Sequence, residues 1–339
     1  MKQIRAIVYG IGRVNQIAAR LLMENGIEIV GAINRPGPKI GRDLGEISGL
    51  SPLGISISDR PADVLSIPAD VVLVAVCDDM QRGFPIYKNC LEHGLNVVTV
   101  GAFMSYPWRR TPDLANELDA LAKENGVSLV ATGNQDFFMV NLGLLMSGVC
   151  HSIRHISHRS LSNINLYGPE VANLMCVGGH PKEFDYTEAG QNSNPYLPFW
   201  ENVIDELELT VSDIKLTTKP ILAEHDYFSK GLNCVIETGK IIGQSQELEI
   251  STKEGLQLIG SNALRLCAED EEEYKTWQID GEPGLKIRAT TLDSVFTTAS
   301  QAVNRIPDAI SAKPGYITLK KLPKLIYKSR PFYKYIQKA

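Results

Sequence analysis

"IRAIVYGIGRVNQIAARLL", residues 4–22, joins an apolar run to a glycine-rich turn and then to one apolar helical face. Val14, Ile17, Ala18, Leu21 and Leu22 recur at i, i+3, i+4, i+7 and i+8, the spacing of a helix packed on one side. The turn between reads G-x-G-x-x-N at Gly10, Gly12 and Asn15. The first glycine permits a tight turn, and the second lets a pyrophosphate approach the backbone. The helix start adds unpaired N–H groups and a favourable dipole. Asn stands where a third glycine is usual, and Ala18 supplies a small residue against the sheet. At the first strand–helix junction, this pattern predicts a dinucleotide-binding turn contributed by Gly10, Ile11, Gly12, Arg13 and Val14.

The same alternation continues outward. Gly26 stops the helix, and "IEIVGAI" (27–33) and "VVLVAVC" (71–77) read as further buried strands. "NVVTVGAFMSYPW" (96–108) is a strand, a small-residue turn and an aromatic loop. "DLANELDALAKEN" (113–125) is a helix stopped by Gly126, and "VSLVAT" (127–132) is another strand. Residues 1–150 are therefore expected to form an α/β domain, a doubly wound parallel Rossmann sheet. Residues 151–300 change texture: "LELTVSDIKLT", "QELEIST" and "LKIRATTL" alternate like antiparallel strands. They are expected to form a second α+β domain on a largely antiparallel sheet. A helix near 293–305 leads into residues 301–339, which are expected to return to the first domain.

The chain has 339 residues, 44% of them hydrophobic, enough for about two domains with sizeable cores. A formal charge of −5 gives no reason to expect nucleic acid. No apolar run approaches the ~20 residues needed to span a bilayer, so no membrane partner is expected. The chain enters its first strand with no signal peptide, and its six cysteines contain no C-x-x-C, so a cytoplasmic setting is expected. "EDEEE" (269–273) reads as a solvated loop or strand edge. The tail from Lys313 holds eight basic residues, no acid and several aromatics, and is expected to pack over a surface or a partner subunit.

The end of the second strand bears on the cofactor. An NAD enzyme usually places an acid there for the ribose 2′-OH, whereas Arg suits a 2′-phosphate. "GAINRPGPKIGR" (31–42) offers Asn34, Arg35 and Lys39 and no acid before Asp43. This favours NADP(H) and leaves NAD(H) open. Cys77, Asp78, Gly101 and Ala102, at the next strand ends, and Asn304 complete the expected cofactor contacts. A metal site is not expected. His151, His155 and His158 stand at i, i+4 and i+7 without a fourth ligand, in a stretch that alternates like a strand. Ser147 lacks the setting of a nucleophile elbow. Phe103, Tyr106, Trp108, Phe138 and Met139 come from strand ends that can converge, which predicts an aromatic, apolar pocket.

"YGIGRVN", "KIGRDLGE" (39–46), "SYPW" (105–108), "TGNQDFFMVNL" (132–142) and "AVNRIPDAISAKPGY" (302–316) together resemble the NAD(P)-dependent native amine dehydrogenases and the related 2,4-diaminopentanoate dehydrogenases. The resemblance implies a dihydrodipicolinate-reductase-like Rossmann domain and reversible reductive amination. It also implies a substrate pocket between the domains of a homodimer. It adds Gln135, Asp136, Asn163, Tyr167 and His180 to the pocket. It further implies a glutamate before "SYPW" that binds the ammonia-derived nitrogen, where this chain has Ala102 and Phe103. The expected partner is a small carbonyl, imine or amine compound. Tyr106 and Tyr167 are candidate neutral proton donors, and Asp136 is the nearest acid to offset an iminium charge. The leading expectation is a C=N reductase. A carbonyl reductase or weakened amine dehydrogenase is one alternative, and an NADP-binding protein without turnover is another.

Overall fold

A computed structural model of the protein describes residues 3–184, 196–290 and 293–336. The chain divides into two compact units, one made of the residues up to Asp136 and those from Phe296 on, the other of Phe137–Val295. In the first unit, strands and helices alternate: β1 (Arg5–Tyr9), α1 (Arg13–Glu24), β2 (Glu28–Ile33), α2 (Leu44–Ile47), β3 (Ile57–Ser58), α3 (Pro61–Leu65), β4 (Val71–Val74), α4 (Met80–Glu92), β5 (Asn96–Thr99), α5 (Pro112–Glu124) and β6 (Ser128–Ala131). The strands lie in the order β6-β5-β4-β1-β2-β3, every pair parallel. All four residues of β4 are buried, as they are in β6, because helices cover both faces of the sheet. Ala18, Ala19 and Leu22 of α1 pack on Val8, Leu73 and Val130. Tyr87 and Leu91 of α4 and Leu118 and Ala122 of α5 pack on Val72, Val97 and Leu129 from the other side. The strand order reverses between β1 and β4, and ligands of such sheets bind outside the strand ends at this point.

Gln135–Asn141 is wound as π-helix and carries the chain out of the first unit. The second unit holds α6 (Leu142–Ser147), β7 (Ser152–Asn163), α7 (Pro169–Leu174), α8 (Leu197–Glu206), β8 (Val211–Leu222), β9 (Tyr227–Ser229), β10 (Cys234–Ile236), β11 (Ile241–Thr252), β12 (Gln257–Arg265), β13 (Tyr274–Glu282) and β14 (Leu285–Ala289). Six strands form one sheet in the order β14-β13-β7-β12-β11-β8, antiparallel except for β7 with β12; β9 and β10 form a separate ribbon. Its core centres on Trp277, which packs against His158 at 4.7 Å and Trp200 at 5.6 Å and donates from its indole N–H to the Phe138 carbonyl at 2.7 Å. A Cβ on Gly143 would lie 2.5 Å from the Trp277 ring, so α6 can approach the sheet only with glycine there.

The chain then re-enters the first unit through α9 (Ser294–Asn304), α10 (Ile306–Ser311) and β15 (Gly315–Ile317). β15 pairs with β6 as a seventh parallel strand. The basic tail packs on this unit: Phe332 is fully buried in the α1-side core, and Lys328 binds the Asn304 carbonyl and Asp308.

One local expectation needs correcting. The acidic run is anchored rather than merely solvated. Glu273 is buried and accepts the N–H groups of Asn163 and Ser294, while Glu271 pairs with Arg265. The histidine stretch is strand, as its alternation indicated: in β7 His158 points into the core, whereas His155 bonds Asp280. Strand residues an odd number apart face opposite sides. Among the described residues no helix is long and apolar enough to cross a membrane.

Candidate active site

The glycine turn is built by contacts that leave little choice of residue. Gly10 has φ +87°, and a Cβ there would sit 2.3 Å from the Ala75 carbonyl oxygen. Gly12 begins α1 with no side chain capping the helix, and a Cβ there would meet open space. The N–H groups of Arg13 and Val14 in the first turn are thus left for a ligand. Asn15 solves the problem of the missing third glycine in its own way. It is fully buried, and its amide donates to the carbonyls of Tyr9, Gly10 and Leu73, tying the turn to β1 and β4. These features fit a dinucleotide pyrophosphate.

Around this turn the structure gathers the other expected contacts. Asn34, at the end of β2, accepts the Ile11 N–H at 3.0 Å, and Lys39 donates to the Ile11 carbonyl. Arg35 beside them is exposed. The first acid after β2, Asp43, is committed elsewhere. It accepts the N–H groups of Gly45, Glu46, Leu53 and Ile55, and these bonds, Leu53 first, hold its carboxyl below the usual range. No carboxylate in this loop is therefore left for a ribose hydroxyl.

At the ends of β4 and β5, Gly101 keeps the strand ends close, since a Cβ there would lie 3.0 Å from the Cys77 carbonyl oxygen. Its N–H donates to Thr99 Oγ1, which also bonds Tyr87. The next N–H, from Ala102, donates to Asp78 Oδ1 at 2.8 Å. Ala102–Met104 forms a 3₁₀ turn, with the Arg110 guanidinium over the Phe103 ring at 5.2 Å. Gln135 bridges the ends of β5 and β6 by donating to the carbonyls of Val100 and Thr132. Tyr106 and Trp108 lie further along the loop, and Trp108 stacks half-buried between Tyr106 and Tyr316 at 5.5 and 4.9 Å. The burial marks Trp108 as part of the packing against α5 as much as of any pocket. Asn304 ends α9 on the other face of the sheet, where its carbonyl accepts from Lys328.

Asp136 does not stand free to meet a cation. It is fully buried, its Oδ2 2.7 Å from Arg305 Nε and 2.9 Å from Thr132 Oγ1, its Oδ1 3.2 Å from Arg305 Nη2. Arg305 also donates to Asp308 and to the Pro323 carbonyl. A buried carboxylate already paired with a guanidinium has no charge left over for an iminium. Sequence reasoning missed Arg305. The one local signal was its i, i+3 spacing to Asp308, which is common on helix surfaces.

The second unit carries the remaining residues. Met139 is buried and Phe138 meets Phe137 edge-to-face at 5.0 Å. Asn163 uses its Oδ1 on the N–H groups of Asn165 and Cys267, which shapes the end of β7. Tyr167 is half-buried just after that turn. His180 is exposed, its ring Nδ1 accepting from the Lys182 N–H, and it lines a depression of about 240 Å³ with Asn173, Val177 and Phe184.

Residues 4–102 match the family model described as dihydrodipicolinate reductase, N-terminus, and residues 137–330 match 2,4-diaminopentanoate dehydrogenase C-terminal domain. The chain is 26% identical to the 2,4-diaminopentanoate dehydrogenase of Acetoanaerobium sticklandii over 95% of its own length and 94% of that protein. An amine dehydrogenase from Mycobacterium smegmatis superposes with a TM-score of 0.93 at 37% identity, covering 97% of this chain and 98% of the other. A probable dehydrogenase from Thermotoga maritima, at 13% identity and TM-score 0.62, shares the fold over 94% of this chain and 92% of the other. With the turn, the strand ends and the second sheet matched along nearly the whole length, the chain belongs to the family of oxidoreductases defined by the 2,4-diaminopentanoate dehydrogenase C-terminal domain.

Proposed function

We propose that this protein reduces C=N bonds, taking imines or iminium ions to amines, with NADP(H) preferred as the cofactor and NAD(H) also accepted. The observation that carries the reading is the end of β5, where Ala102 and Phe103 present no ionisable group. A carboxylate at this point would help capture free ammonia, and general acid–base help of that kind is worth about 10²–10⁴-fold. Side chains at 102 and 103 that carry no acid suit substrates whose C=N bond forms before binding. The reduced nicotinamide supplies the hydride when bound. The chain's own part is to hold the phosphates at the Gly10–Val14 turn and to line the end of β5 with the Phe103 ring in place of an acid. Asn34, Arg35 and Lys39 support the NADP(H) preference, since guanidinium and ammonium groups favour a 2′-phosphate. We further propose a homodimer working in the cytoplasm, which light scattering and fractionation would check.

The test is one panel of NADPH oxidation: ketone alone, ketone with ammonia, ketone with methylamine, and a preformed cyclic imine. The cyclic imine should be reduced much faster than the ketone is aminated by ammonia. Introducing Ala102→Glu or Phe103→Glu should raise ammonia-dependent turnover by on the order of 10²-fold. Oxidation with ketone alone at the imine's rate would instead favour a carbonyl reductase.

A further inference from the structure

We propose that Asp78 is the proton donor to the substrate nitrogen, an inference that rests on the C=N-reducing reading above. C=N reduction needs a proton as well as a hydride. Hydride addition at carbon turns the π pair into a nitrogen lone pair, so a neutral imine must gain a proton as it reacts. Acids immediately beyond the central strands of the first unit are Asp78 and Asp79 after β4 and Asp136 after β6. Asp136 is held by Arg305, and Asp79 caps α4 by accepting the Arg82 N–H at 2.7 Å. Asp78 is different. Its side chain reaches solvent, and Oδ1 accepts the Ala102 N–H at 2.8 Å.

That bond places the carboxyl across the ends of β4 and β5, one strand from the switch point between β1 and β4. Crowding by protein pushes its pKa above the usual carboxylate range, against the pull of the Ala102 N–H. A carboxyl shifted upward is a better donor near neutral pH. In the step itself, the Asp78 O–H bond breaks and an N–H bond forms on the imine. Hydride from the reduced dinucleotide forms the new C–H bond, and the carboxylate left behind regains a proton from water. Solvent contact at Asp78 makes that return direct.

The experiment compares the parent with Asp78→Asn, which keeps an oxygen to accept the Ala102 N–H while removing the acid. Two substrates are used: a neutral cyclic imine and its N-methylated iminium, which needs no proton. Turnover of the neutral imine should fall by about 10²-fold and that of the iminium by far less, with NADPH affinity, read by fluorescence titration, changing by less than imine turnover does. Adding Ala102→Glu to Asp78→Asn should recover imine turnover, because its side chain starts on the residue that donates the same hydrogen bond. Equal losses on both substrates, or weakened NADPH binding with imine turnover intact, would overturn the assignment. Calorimetric binding of the saturated cyclic amine, with NADP⁺ present, gives a reading apart from turnover. It should weaken at least tenfold in Asp78→Asn, and an unchanged affinity would also overturn the assignment. If the parent oxidises NADPH with none of these compounds, the functional reading fails, while amine binding still judges Asp78.

Discussion

Arg305 is the residue whose removal separates a structural from a catalytic role for Asp136. Arg305 is 1% exposed and Asp136 0%, so each charge depends on the other for solvation. Arg305→Met should destabilise the protein by about 3–5 kcal/mol, because it strands a buried carboxylate. Adding Asp136→Asn should recover part of that loss, since an uncharged amide costs less to bury than an unpaired carboxylate. Urea titrations of the two variants measure both effects. Arg35, by contrast, is an exposed cation on the loop after β2, and its loss should leave stability within about 0.5 kcal/mol. Its expected effect is on the cofactor: NADPH should bind more tightly than NADH in the parent, and Arg35→Ala should narrow the gap. Equal affinities in the parent would remove the 2′-phosphate assignment.

Among the elements, the turn between β1 and α1 makes two glycines do different work, and substitution should tell them apart. At Gly10, φ is +87° and the Ala75 carbonyl occupies the space of a Cβ. Gly10→Ala should therefore damage the fold itself, lowering the urea midpoint along with cofactor binding. Gly12 has φ −86° and open space before it. Gly12→Ala should leave the midpoint nearly unchanged and weaken dinucleotide binding at least tenfold, about 1.4 kcal/mol. A Gly12→Ala protein that binds NADPH like the parent would show that the pyrophosphate does not approach the backbone there. Asn15 belongs to the same element. Its three donations explain why the turn holds its shape without a third glycine.

Across the whole molecule, stability should follow pH through buried bases of the second unit. Lys275 is almost fully buried beside Ser162, and burial lowers its pKa from 10.5 to about 8, against the nearby Glu273. Burial likewise pushes His158 well below 6.5, with Lys275 adding to the effect. In each window between folded and unfolded pKa the unfolded chain binds more protons, so stability rises with pH. For Lys275 the window runs from about 8 to 10.5 and is worth on the order of 3 kcal/mol. Burial raises the thiols of Cys90 and Cys267 to about 12, which opposes the rise in the same range, so the difference between two proteins isolates Lys275. The urea midpoint of the parent should gain on that of Lys275→Met as pH rises from about 8 to 10.5, and a constant difference would mean that Lys275 keeps its proton through the range.

Strands β1, β2, β4, β5 and β6, helices α1 and α5, the glycine turn and a loop after β2 with no acid before Asp43 were legible in residues 4–43 and 71–132, whereas α2, β3, α3 and β15 were not. The change to antiparallel strands was legible in the alternation after residue 150. Periodicity and backbone strain are local, so neighbouring residues carry them. Which carboxylates remain available for chemistry was not legible. Asp136 is claimed by Arg305, 169 residues away, Glu273 by the N–H of Asn163, 110 residues away, and Asp78 is set by Ala102, 24 residues away. The three acids look alike in the chain. Only the tertiary structure, by bringing distant donors against all three and solvent against Asp78 alone, decides which carboxyl a substrate can reach.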